Sequence, residues 1–140
     1  MTENQKLKNN KEEEKNKEEL EEEEKKNKIN SLRKAGKIAQ HVKEFIKPKV
    51  KVGAKVIDLI NATEAKIEEL GGLSAFPVNI SINNIAAHYT SPPKDDGLTI
   101  NDNDIVKIDL GVHIEGYIVD TAFTVKFNED KSLENIIQAT

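Results

Sequence analysis

The chain has 140 residues, with 21 Lys and Arg against 25 Asp and Glu and a formal net charge of −4. That length is room for one small domain, and the slight acidic excess offers no basic stripe for nucleic acid. The absence of cysteine excludes a disulfide framework, a cysteine-ligated zinc and a cysteine nucleophile. No apolar run approaches the roughly 20 residues of a membrane span, and the first residues lack the apolar stretch of a signal peptide, so the expectation is a cytoplasmic protein without a membrane partner.

Composition divides the chain. Residues 1–30 hold ten Glu and eight Lys, with only Met1, Leu7, Leu20 and Ile29 apolar, while every aromatic residue lies beyond them. Such a segment cannot bury enough apolar surface to offset its ordering entropy, and it reads as a disordered charged tail. Pairs such as Glu13–Lys17 and Glu21–Lys25 allow it to flicker as a solvated helix. Folding is expected to fall to residues 31–140.

Ser31 is a candidate N-cap for a helix to about Lys47. Within it Leu32, Ala35, Ile38, Ala39, Val42, Phe45 and Ile46 recur at three- and four-residue steps, and Pro48 ends the pattern. A second helix fits residues 55–70, with Val56, Leu59, Ile60, Thr63, Ile67 and Leu70 on one side and Gly71-Gly72 as its stop. Short strand-like pieces follow around Val78–Ile82 and Ile85–His88, then a loop from Ser91 to Gly97 and a turn at residues 101–104. Ile105 to Val125 alternates on either side of Glu115-Gly116, which predicts a hairpin with a two-residue turn. A last helix is expected to begin with Ser132 as its cap.

The hairpin carries the chemistry. With Glu115 and Gly116 in the turn, one face collects Val106, Ile108, Leu110, Val112 and Ile114 with Tyr117, Val119, Thr121, Phe123 and Val125. The other face places Asp109 opposite Ala122 and Asp120 opposite Gly111, with Asp109 and Asp120 as diagonal neighbours beside small residues. Converging carboxylates repel unless a cation or a shared proton lies between them, so the pair is a candidate oxygen-rich divalent metal site. On spacing alone, a solvent-facing strand surface carrying two hydrated acids is the commoner arrangement, and paired carboxylates also serve glycoside hydrolysis. His88, at the mouth of a polar loop, is a candidate catalytic group or a structural hydrogen-bonder. His41 is expected at the surface of the first helix, and His113 shares the aspartate face near the turn. No GxSxG, P-loop or HExxH pattern occurs.

Two stretches carry a resemblance. They are Gly71-Gly72-Leu73-Ser74-Ala75-Phe76-Pro77 continuing to Ala86-Ala87-His88-Tyr89-Thr90, and Lys107-Ile108-Asp109 continuing to Asp120-Thr121-Ala122. In order and distance they resemble type II methionine aminopeptidases of peptidase family M24, from about Leu32 onward. The resemblance implies a pita-bread α/β half-domain, with helices packed on a curved, mostly antiparallel sheet. It further implies Asp109 and Asp120 as metal ligands, two divalent ions (Mn, Fe, Co or Zn), His88 as a catalytic and substrate-binding group, and Phe76 in the pocket for the methionine side chain. The implied reaction removes the initiator methionine from nascent polypeptide N-termini. Xaa-Pro peptidases and prolidases share the aspartate spacing but usually carry Arg three residues after the second Asp, where this chain has Phe123. The family completes its site with one His and two Glu from a second half of the fold. Residues 31–140 therefore resemble the N-terminal half of the enzyme, expected to be inactive alone. A second polypeptide carrying the other half, or a non-catalytic relative that binds protein or RNA, are the alternatives. The charged tail is similar in character to extensions that associate with ribosomes.

Overall fold

The computed structural model of the protein describes residues 3–94, 97–127, 131 and 134–138, with side chains from residue 14 onward. Helix α1 runs without interruption from Glu3 to Ile46. Among its described side chains, Ala35, Ile38, Ala39, Val42 and Ile46 form an inner face, whereas residues 14–30 are exposed throughout.

The helix start expected at Ser31 is corrected, since α1 is already helical before that residue. Ser31 is interior to α1 and 4% exposed, and its Oγ donates to Glu115 Oε2 at 3.1 Å instead of capping a helix end. The cause is cooperative. Packing of residues 31–46 supplies the costly nucleus, and Lys and Glu are good enough helix formers to extend it. Exposed pairs such as Lys15–Glu19, 3.8 Å apart, add a little more.

A single 3-10 turn, Lys47–Lys49, ends α1 at Pro48, as expected. Helix α2, Val56–Glu69, buries Val56, Leu59, Ile60, Thr63 and Ile67, with Thr63 Oγ1 returned to Leu59 O at 2.6 Å. It closes where Gly71, at φ +83°, donates its N–H to Glu68 O at 2.9 Å.

Four antiparallel strands form one sheet: β1 (Leu73–Ser74), β2 (Asn79–Ile82), β3 (Ile105–Ile114) and β4 (Tyr117–Lys126). Strand β3 is the spine, with β1 and β2 along one side and β4 along the other. The hairpin register is the expected one, from Ile105 opposite Lys126 to Ile114 opposite Tyr117. Glu115 and Gly116 both take positive φ, 53° and 83°, which is the twist-matched two-residue turn. The apolar face of β3 is buried completely at Val106, Ile108, Leu110 and Val112. Helix α1 covers β3 and β4, while α2 lies against α1 and the short strands.

One further expectation changes. Ile85–His88 is exposed loop, not strand, because Asn83 turns the chain in a left-handed conformation (φ 53°) immediately after β2. Strand β1 is too short for periodicity to announce. The cap proposed at Ser132 lies outside the described residues; the short helix α3 (Glu134–Gln138) follows it, with Glu134 paired to Lys126 at 3.2 Å. Among the described residues no helix is long and apolar enough to cross a membrane.

Candidate functional site

Asp109 lies in the middle of the spine strand, flanked by Asn79 of β2 on one side and Ala122 of β4 on the other. Asp120 faces Gly111 across the hairpin, so the two acids are diagonal neighbours on the face away from the helices. They are close enough to share a side-chain hydrogen bond. The Asp109 carboxyl is held above its ordinary value, first by burial, then by the charge of Asp120 and by that hydrogen bond, while His88 pulls it back down. A proton or a divalent cation between the oxygens is what relieves such a pair.

His88 stands near enough for its charge to act on Asp109, and it does so from an exposed loop. The loop delivers it through an unusual backbone, since His88 has φ +65°. At the next residue the chain rejoins β2, where Ile80 N–H donates to Tyr89 O at 2.8 Å.

Phe76 arrives from the opposite side. Ala75 N–H donates to Gly111 O at 2.9 Å, which extends the β1 pairing and sets the Phe76 ring over Gly111. A Cβ at Gly111 would stand 2.8 Å from Phe76 Cδ1 and 3.0 Å from the Ala75 Cβ. The bare α-carbon that sequence reasoning assigned to free space beside Asp120 is therefore filled by an aromatic ring. The fold gathers Asp109, Asp120 and Phe76 on one face, with His88 near enough in the loop after β2 to act on Asp109.

The other two histidines stand apart. His41 is exposed on α1, as expected. His113 shares the aspartate face, but its Nδ1 accepts Gly116 N–H at 3.2 Å and so fastens the turn. Among the described residues no third His, Cys, Asp or Glu joins the acid pair in a cluster able to enclose a metal ion. The donors present, two adjacent carboxylates, suit a hard or borderline divalent ion and supply part of its shell.

Beside Asp109, a cleft of about 470 Å³ is lined by that residue with Lys107, Ser81, Ala86 and Ala87, reaching Lys43 and the outer part of β4. Sequence reasoning passed over several of the residues that build it. Asp104, 7% exposed, accepts Asn83 Nδ2 at 2.8 Å and Asn101 N–H at 2.7 Å. Asn83 Oδ1 takes Ile105 N–H at 2.9 Å, and Lys107 Nζ donates to Asn83 O at 2.8 Å. The Asn-Asn and Asn-Asp-Asn-Asp runs were the available signal, readable as turns but not as one hub.

Strand β4 is the sheet's outer strand, and no described residue pairs with its far side. The alternation of an antiparallel ladder turns the backbone groups of Ile118, Asp120, Ala122 and Thr124 outward. Lys43 Nζ reaches this rim, donating to Thr121 Oγ1 at 3.1 Å and to Ala122 O at 3.5 Å.

Comparison with known proteins agrees with this geometry. Metallopeptidase family M24 matches residues 30–140. A methionine aminopeptidase of Thermococcus kodakarensis is 50% identical over 106 residues, covering 74% of this chain and 36% of the relative. One from Methanothermobacter thermautotrophicus is 50% identical over 97 residues, covering 69% and 32%. The chain thus spans about a third of the length of the curated relatives it matches. Among solved structures, a methionine aminopeptidase of Thermotoga maritima superposes with a TM-score of 0.72 at 20% identity, over 81% of this chain and 48% of that one. A prolidase from Pyrococcus furiosus gives 0.67 at 20% identity, over 81% and 35%. Both likenesses concern the fold.

Proposed function

The chain belongs to metallopeptidase family M24, and from that premise we propose that residues 31–140 are the N-terminal half of a methionine aminopeptidase catalytic domain, preceded by a charged extension of residues 1–30. The reading is supported by 50% identity to methionine aminopeptidases. The single observation that carries it is the diagonal placement of Asp109 and Asp120 on the sheet face where the Phe76 ring covers Gly111. The substrate class is nascent polypeptide N-termini bearing the initiator methionine, and the setting is the cytoplasm, with the extension as a candidate ribosome contact.

Asp109 and Asp120 would hold divalent metal, two ions in the complete enzyme, drawn from Mn, Fe, Co or Zn. Bound there, the metal supplies an activated water near neutral pH and an electrophile for the scissile carbonyl. Phe76 offers an apolar surface for the methionine side chain. His88 holds a hydrogen bond at the reacting amide, fixing its orientation as the tetrahedral geometry develops. The remaining metal donors come from the second half of the domain, in the same or another polypeptide. Phe123, where a prolidase would usually place Arg, argues against the Xaa-Pro reading.

Titration of the chain with Mn²⁺ or Co²⁺ by calorimetry, with a Met-Ala-Ser peptide assay beside it, tests this. Weak binding is expected, abolished by Asp109→Asn or Asp120→Asn, without turnover. Metal binding that survives both substitutions would remove the acids from the site, and robust turnover by these 140 residues would refute the incomplete donor set.

A further inference from the structure

His88 is a non-glycine residue at φ +65°, a conformation that L side chains disfavour because Cβ crowds the following carbonyl. Something outside the residue must hold it there. The loop itself offers little: Ile85 N–H is tied to Ile82 O at 3.1 Å, and the side chains from there to His88 are exposed. The entry to the loop is firmly set, since Asn83 is fixed by Asp104, Ile105 and Lys107.

The exit is set differently. Tyr89 accepts Ile80 N–H at its carbonyl, at 2.8 Å. Tyr89 N–H, for its part, donates to the Ser81 hydroxyl at 3.4 Å. Ser81 is 2% exposed, sits opposite Lys107 in the ladder, and shares the wall of the cleft with Asp109. The Tyr89 N–H lies in the peptide plane that joins residues 88 and 89, so the group that holds it also sets ψ of His88.

We propose that Ser81 is a positioning residue, whose buried hydroxyl fixes the 88–89 peptide and thereby keeps His88 in its left-handed conformation beside the cleft that Ser81, Ala86, Ala87 and Asp109 line. This rests on the assignment of the acid pair as a metal centre only for its functional meaning; the conformational claim stands by itself. At 3.4 Å the hydrogen bond is long, so its loss should change global stability little while freeing one backbone torsion next to the site.

The test is NMR on the full 140-residue chain and on Ser81→Ala, with Mn²⁺ alone as a paramagnetic probe. Amide shifts of the β3–β4 hairpin report whether the sheet is intact. The His88 HN–Hα coupling and Cα shift report its backbone, and Mn²⁺ broadening of its ring protons reports proximity to the acids, with the turn-fastened His113 ring as reference. In Ser81→Ala the hairpin should be unchanged, the His88 coupling should move off the left-handed value, and its broadening should fall several-fold relative to His113. Ser81→Cys, similar in volume but a weaker acceptor, should show the same trend if the alanine variant does not fold, and Ser81→Thr should restore the native pattern. An intact hairpin with His88 coupling and broadening unchanged in both the alanine and cysteine variants overturns the proposal. If Mn²⁺ broadens neither ring in the native chain, the metal assignment fails, and the coupling alone then decides the role of Ser81.

Discussion

Replacing Gly111 by alanine isolates the contact that seats Phe76 beside the acid pair. Gly111 has no positive φ, so the added methyl brings no backbone penalty, and its effect is steric. The new Cβ would lie 2.8 Å from Phe76 Cδ1 and 3.0 Å from the Ala75 Cβ, against an ordinary carbon–carbon separation of about 3.5–4.0 Å. Ala75 cannot retreat without lengthening its 2.9 Å bond to Gly111 O, so the ring must swing away. Overpacking of this kind costs about 1–3 kcal/mol, and the lower chain entropy of alanine returns roughly 0.5–1 kcal/mol, for a net loss of about 1–2 kcal/mol. Urea unfolding followed by far-UV circular dichroism measures it. Gly36→Ala is the control: its Cβ meets nothing within 4 Å in the middle of α1, and the substitution should stabilise by up to ~1 kcal/mol. In a Phe76→Ala background the Gly111 penalty should largely vanish. A Gly111→Ala chain as stable as the parent, or penalties that simply add in the double variant, would show that the ring does not rest where it is placed.

Three other outcomes follow from the same structure. Asp109 has its carboxyl raised above the unfolded-state value, so the folded chain keeps that proton longer. Its contribution is complete below the unfolded value and is lost as pH rises through the folded one; Asp109→Asn should therefore reduce the decline of metal-free stability over that window, read from urea midpoints. Ser31→Ala removes the bond from α1 to Glu115 at the hairpin tip and should cost about 1 kcal/mol, with local broadening of the turn amides. Deleting residues 2–29 should remove helical circular dichroism yet leave the thermal midpoint nearly unchanged, because residues 14–30 cover none of the core; a large fall in midpoint would contradict that exposure.

What was legible in the sequence was what period and turn chemistry determine alone. The hairpin register follows from Glu115-Gly116 and strict alternation, and it delivers Asp109 and Asp120 as diagonal neighbours. The stripe on α1 from Ala35 to Ile46 and that on α2 were readable for the same reason. The start of α1 was not, because a helix of favourable formers extends past the point where its hydrophobic signal stops. The loop carrying His88 reads as strand because Ile85-Ala86-Ala87 is apolar. What decides it is the turn at Asn83, held by an aspartate 21 residues away. Nor could spacing show that Gly111 is bare because a ring from another strand needs the room.

Lys43 at the rim of β4 has a consequence for how copies of this chain treat one another. The outer side of a ten-residue strand without proline is a template on which another extended chain can grow. A single flexible ammonium, bonded to Thr121 and Ala122, stands across that template. A charged side chain over a strand edge opposes pairing with another chain, so exchanging Lys43 for an apolar residue should raise self-association, read by light scattering in concentrated solution.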